Sequence, residues 1–157
     1  MHVIVSNMAA RRPPATEPAQ GWPAPALSAT EATILWALRR MALMQPLGKA
    51  RCHAVHIALQ QDFGDHGMGI EHLLRCWLFG LARFADRPLR FGAPACPLLL
   101  PDEALMLRSL AAPDPQALAL LIRLAGPDAA RLLPLGQALR ANIHGETPLS
   151  KPFKDIS

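Results

Sequence analysis

Between Gly69 and Arg87 the chain reads GIEHLLRCWLFGLARFADR, with Leu73, Leu74, Trp77, Leu78, Leu81 and Phe84 recurring at helical spacing. The polar positions Glu71, Arg75, Arg83 and Asp86 fall near one line, with Phe79 filling the gap, so the wet stripe is narrow. The pattern predicts a central helix over about 70–86, apolar around well over half its circumference and therefore packed on several sides. A membrane span does not fit, because a span takes about 20 predominantly apolar residues and Glu71, Arg75, Arg83 and Arg87 bound or interrupt this run. Gly80 lies inside the predicted helix at a cost of about 1 kcal/mol relative to Ala, which means either the close approach of another backbone or simple tolerance.

The flanking patterns predict further helices. Ser28-Ala-Thr-Glu31 matches a capping box, in which the serine oxygen accepts the Glu31 amide and the glutamate reaches back. A helix should run from there to about Met44, burying Ile34, Leu35, Leu38, Met41 and Ala42, with Arg39 and Arg40 mostly off that stripe. A second helix is expected from about Lys49 to Phe63, where Cys52, Val55, His56, Leu59 and Phe63 share a face. Gly64, Gly67 and Gly69 then read as a short connector that makes this helix an antiparallel neighbour of the central one. Prolines 88, 94, 97 and 101 mark an irregular stretch in which Leu89–Phe91 reads as a short extended piece and Leu98-Leu99-Leu100 tucks onto the core. Pro101-Asp102-Glu103 looks like a first helical turn, its acids facing the positive end of the macrodipole. Asp114-Pro115 and Gly126-Pro127-Asp128 mark the next starts, and Pro134 should kink or split the last helix.

Composition sharpens this into a fold class. Aromatic residues are only 5% with no Tyr, so Leu and Ala must do most of the packing, and both are helix formers. The expectation is an all-α fold: a compact orthogonal or bundle-like array of five to six helices around the buried helix at 70–86. Residues 1–27, with five prolines, read as a disordered Pro/Ala-rich leader, 28–141 as a single helical domain, and 142–157 as a flexible tail. Met1–Val5 is too short for a signal-peptide core and its arginines follow rather than precede it, so Cys52, Cys76 and Cys96 are expected as free thiols in a reducing cytoplasm.

Charge narrows the partners. The formal net charge is +4, and the segment 36–90 carries all of it, with eight basic residues against four acidic. Arg39, Arg40, Lys49 and Arg51 are the candidate contacts for an anion or a nucleic-acid backbone, although Arg-rich alkaline composition explains the imbalance equally. A helix-turn-helix reading of the hairpin at 49–87 fares poorly, because the second helix is too apolar to offer base-reading side chains.

Histidines and cysteines supply the remaining candidate chemistry. Cys52 with His56 and His72 with Cys76 are each four residues apart and stack on one helix face, as zinc ligands can. If the hairpin turns midway between Phe63 and Ile70, His56 lies level with about Trp77, and Cys52 and His72 are roughly 13 Å apart along the axis at about 1.5 Å per residue. One ion cannot then hold all four, which leaves His56, His72 and Cys76, joined by Cys96, as the candidate zinc or haem ligands. The competing reading makes the cysteines small hydrophobes and the histidines partners of nearby carboxylates. A Cys76–His56 pair oriented by Asp62 or Glu71 lacks any recognisable catalytic signature, and the glycines at 64, 67 and 69 lack the flanking pattern of a phosphate loop.

The order Leu38–Met41, His53 and His56, Ala93-Pro94-Ala95-Cys96-Pro97, then Pro101-Asp102-Glu103-Ala104 resembles a small family of uncharacterised alphaproteobacterial helical proteins over about residues 31–125. The resemblance implies no activity, and it groups Cys96 with His53 and His56. The residues therefore lead to a non-enzymatic, cytoplasmic helical interaction or regulatory protein that meets a protein partner or a second copy of itself. A metal- or haem-binding sensor and a nucleic-acid-binding protein are the alternatives.

Overall fold

A computed structural model of the chain describes residues 22–23, 27–44 and 52–145. Among these residues there are six α-helices: α1 (Ala29–Leu43), α2 (His53–Phe63), α3 (Gly67–Phe84), α4 (Pro101–Ala111), α5 (Asp114–Ala125) and α6 (Leu133–Ile143). Single 3-10 segments at Gly64–His66 and Pro127–Leu132 lead into α3 and α6. The extended structure described is one two-residue antiparallel pairing of β1 (Trp22–Pro23) with β2 (Leu98–Leu99). The fold is all-α, as expected. Most of the expected leader and tail, and residues 49–51 of the expected second helix, Lys49 and Arg51 among them, lie outside the described residues.

The helices begin and end for local reasons. Ser28 Oγ accepts the Glu31 amide at 3.2 Å and the Ser28 amide donates to the Glu31 carboxylate at 3.3 Å, completing the capping box of α1. Such a cap contributes about 1 kcal/mol. Proline occupies the first turn of α4, α5 and α6, where its missing N–H costs nothing. The last apolar segment is split as expected near Pro134: a 3-10 stretch ends at Leu132 and α6 begins at Leu133 with the proline in its first turn. That helix runs to Ile143, slightly beyond the expected boundary at 141.

One hydrophobic cluster joins all six helices. Ile70, Leu74, Trp77, Leu78 and Leu81 of α3 are each 1% exposed or less, and α3 packs against α1, α2 and α6. Each large apolar side chain so enclosed contributes about 1.5–3 kcal/mol. Around this centre Leu35 and Leu38 come from α1, Leu59 from α2, Met106 from α4, Leu121 and Leu124 from α5, and Leu139 from α6. Gly80 is explained by close approach, not of a backbone but of the Leu132 side chain, which occupies the place a Cβ would take.

The hairpin between α2 and α3 is tighter than the sequence suggested. Gly67, expected in a connector, is the first residue of α3 and is buried against α2. A Cβ there would lie 2.6 Å from the Leu59 carbonyl oxygen and 2.8 Å from the Gln60 nitrogen, so only glycine lets the two backbones meet. The helix therefore starts three residues early, and His56 meets Glu71 rather than standing level with Trp77.

Candidate functional site

Two kinds of polar construction sit on this scaffold. The first ties α1 and the irregular stretch to the start of α4. Arg39 was expected off the buried stripe of α1, yet it is 2% exposed. Its Nε and Nη2 donate to the two oxygens of the Glu103 carboxylate, both at 2.8 Å, while Nη1 donates to the Cys96 carbonyl at 2.8 Å and Nη2 also to the Leu98 carbonyl at 2.6 Å. Glu103 completes its coordination with the amides of Gly92 at 2.7 Å and Leu100 at 2.9 Å. Beside it, Asp102 accepts from Arg87 Nη2 at 2.7 Å and Nη1 at 3.1 Å, and from the Arg90 amide at 2.8 Å. The hydrogen bonding to Asp102 holds the Arg87 guanidinium above its ordinary pKa, outweighing the opposing effect of burial. The acids read as complements of a helix dipole are thus the anchors of a loop without regular structure.

The second construction lies along the α2–α3 hairpin. His56 Nδ1 donates to Glu71 Oε2 at 2.7 Å; the carboxylate is 2% exposed and the imidazole 27%. Glu71 is therefore not part of the wet stripe of α3, as its spacing suggested, but a buried acceptor under α2. One turn further along, His72 Nε2 and Cys76 Sγ lie 3.7 Å apart on the open face. Half-buried Cys52, at the N-cap of α2, contacts Arg40 Nη2 at 3.6 Å. Burial alone would push the Cys52 thiol up, but the Val55 amide, Arg40 and the Ala54 amide together outweigh it and hold the pKa below the ordinary thiol value. Arg40 also stacks over Trp36, its guanidinium carbon 5.8 Å from the ring centre.

This placement separates the candidate metal ligands. His56 is turned onto Glu71, His72 onto Cys76, and Cys96 sits in the loop held by Arg39. The tight hairpin removes the axial objection to joining Cys52 with His72, yet Cys52 faces Arg40 instead. Among the described residues no group of three or more His, Cys, Asp or Glu side chains could hold a metal ion. His56, His72, Cys76 and Cys96 thus do not come together as a multi-ligand zinc site. His53 begins α2 and is exposed.

The candidate anion contacts divide similarly. Arg39 is fully engaged by Glu103 and the loop carbonyls and has no face for a phosphate. Arg40 is half-buried on Trp36, and Lys49 and Arg51 lie outside the described residues. The histidine beside Cys76 is His72 and not His56, which is turned onto Glu71 instead.

What remains prominent is the outer line of α3. Met68, His72, Cys76, Phe79 and Arg83 are exposed and fall within less than a quarter of the helix circumference. Met68 is 57% exposed and Phe79 48%, on the same helix whose opposite side is the centre of the core. The sequence contained this signal, since Phe79 breaks the polar stripe. No family model, curated protein or solved structure matches the chain. Among the described residues no helix is long and apolar enough to cross a membrane.

Proposed function

We propose that the protein is a non-catalytic interaction module that docks a partner protein on the outer line of α3. The observation that carries this reading is the pair Met68 and Phe79, two large apolar side chains exposed on one line of a helix whose opposite side is the centre of the core, about three turns apart. Around them α3 presents His72 and Arg83, while its one acid, Glu71, is buried. Apolar anchors with the Arg83 guanidinium beside them suit a partner helix or strand whose apolar residues are flanked by Asp or Glu. On a second copy the same line offers no exposed acid to meet Arg83, since Glu71 is buried, which disfavours self-association by this face.

A photo-crosslinking amino acid at Phe79, in the cell that makes the protein, tests this directly. The expected adduct joins Phe79 to an acidic segment of a different protein, and is lost when Met68→Asp is added. Absence of an adduct, an identical adduct from a crosslinker at Ile122, or a crosslink between two copies of this chain would each overturn the reading.

A further inference from the structure

His72 and Cys76 stand about one turn apart on the outer line of α3, both exposed, with His72 Nε2 and Cys76 Sγ 3.7 Å apart. Zinc binds cysteine sulfur at about 2.3 Å and histidine nitrogen at about 2.0–2.1 Å, so two such ligands of a tetrahedral ion are about 3.5–3.6 Å from each other. The pair therefore already holds nearly the separation that a bound ion would impose. Its backbone is fixed as well, because the opposite side of α3 is the centre of the core, so little further order is lost when an ion joins the two side chains.

The chain carries its own contrast. Cys52 and His56 have the same spacing at the start of α2, but Cys52 faces the Arg40 guanidinium at 3.6 Å and His56 Nδ1 is turned onto Glu71 at 2.7 Å. Cys96 is half-buried, in the loop whose carbonyls Arg39 holds. Spacing alone thus does not make a chelate; mutual orientation and exposure do, and the His72–Cys76 pair has both. Imidazole and thiolate suit zinc, whereas magnesium and calcium take oxygen ligands. We propose that His72 and Cys76 chelate a zinc ion on the open face of α3, through Nε2 and Sγ. Binding forms one Zn–N and one Zn–S bond and releases the thiol proton to solvent. Two protein ligands fall short of a closed structural site, so water fills the two remaining positions in the free chain. The ion needs no partner protein, so this site does not rest on the docking reading.

The test uses the full chain without an affinity tag, reduced, stripped of metal with a chelator and then titrated with zinc chloride. Each cysteine is read by iodoacetamide alkylation and mass spectrometry of its peptide. Saturating zinc should slow alkylation of Cys76 by about tenfold or more, since the metal-held sulfur is no longer a free nucleophile. Cys52 and Cys96 should be unchanged, and magnesium chloride should protect none of the three. His72→Ala should need about tenfold more zinc for the same protection; His72 is exposed, so the variant should keep its urea midpoint. Cobalt(II) in place of zinc should give a thiolate-to-metal absorption band that Cys76→Ser abolishes. No protection of Cys76 at millimolar zinc, protection spread equally over the three cysteines, or a cobalt band that survives Cys76→Ser would overturn the assignment. Undiminished protection in folded His72→Ala would do the same, by showing a lone thiol in place of a chelate. None of these measurements involves a partner, so this assignment and the Phe79 adduct fail separately.

Discussion

Arg39 and Arg40 are neighbours in the chain and opposites in the structure. A single step of 100° around α1 sends one guanidinium into the interior, where Glu103 and two carbonyls use its donors, and leaves the other at the edge on Trp36 and Cys52. The difference shows how this fold orders a stretch that cannot order itself. Residues 85–100 lie between α3 and α4 and contain few main-chain ladders, so their backbone polar groups need partners from elsewhere. Arg39 supplies donors to the Cys96 and Leu98 carbonyls, and Glu103 and Asp102 supply acceptors to the Gly92, Leu100 and Arg90 amides. The interior pair thus acts as a substitute for secondary structure, whereas the edge arginine tunes a local charge.

The sharpest way to break this comparison is Arg39→Met. It leaves the Glu103 carboxylate buried without its cation and strips two loop carbonyls of their donors. A loss of about 3–5 kcal/mol is expected, as for removal of one partner from a buried ion pair, measured by urea denaturation. Adding Glu103→Leu should restore only part of it, because the Gly92 and Leu100 amides then lose their acceptor. A loss below about 1 kcal/mol would show that Arg39 behaves like a surface arginine and that the loop is ordered by its apolar residues alone.

The helices were legible because each has its own signal: the Ser28–Glu31 box, prolines in first turns, and the apolar period of the central segment. The hairpin register was not. Three glycines in six residues look like a connector, and only the approach of the Leu59 carbonyl shows that Gly67 belongs to the helix. Buried charges were hidden for a related reason. Arg39 adjoins Leu38 at the edge of the α1 stripe, and Glu71 follows Ile70 at the edge of the α3 stripe, so periodicity assigned both to water. What decides such positions is a partner distant in sequence: Glu103 is 64 residues from Arg39 and His56 is 15 from Glu71. The exposed apolar positions on α3 were half legible, since Phe79 interrupts the polar stripe but Met68 fell in the presumed connector.

An intermediate effect is expected at the second pair. Arg87 is 43% exposed, whereas its partner Asp102 is 9% exposed. In Arg87→Met the carboxylate keeps the Arg90 amide, and water can replace part of the guanidinium. The expected loss is about 1–2 kcal/mol, again by denaturant titration. A loss equal to that of Arg39→Met would mean that exposure does not grade these pairs, and the contrast between interior and edge would not hold.

The smallest change in stability, and the most specific signature, belongs to Arg40. Its stacking on Trp36 and its contact with Cys52 are both at the edge, so Arg40→Met should cost under about 1 kcal/mol. The thiol reports the charge more clearly. Folding lowers the Cys52 pKa despite burial, so its thiolate adds stability above the unfolded thiol's pKa, and that contribution is lost as pH falls through the folded value. Alkylation by iodoacetamide, followed by mass spectrometry of each cysteine peptide, should therefore place the Cys52 pH midpoint below that of the urea-unfolded chain. Arg40→Met should move the midpoint up while leaving Cys76 and Cys96 unchanged, since neither contacts Arg40. A midpoint indifferent to Arg40 would assign the lowering to the α2 amides alone and leave the edge arginine with stacking on Trp36 as its whole effect.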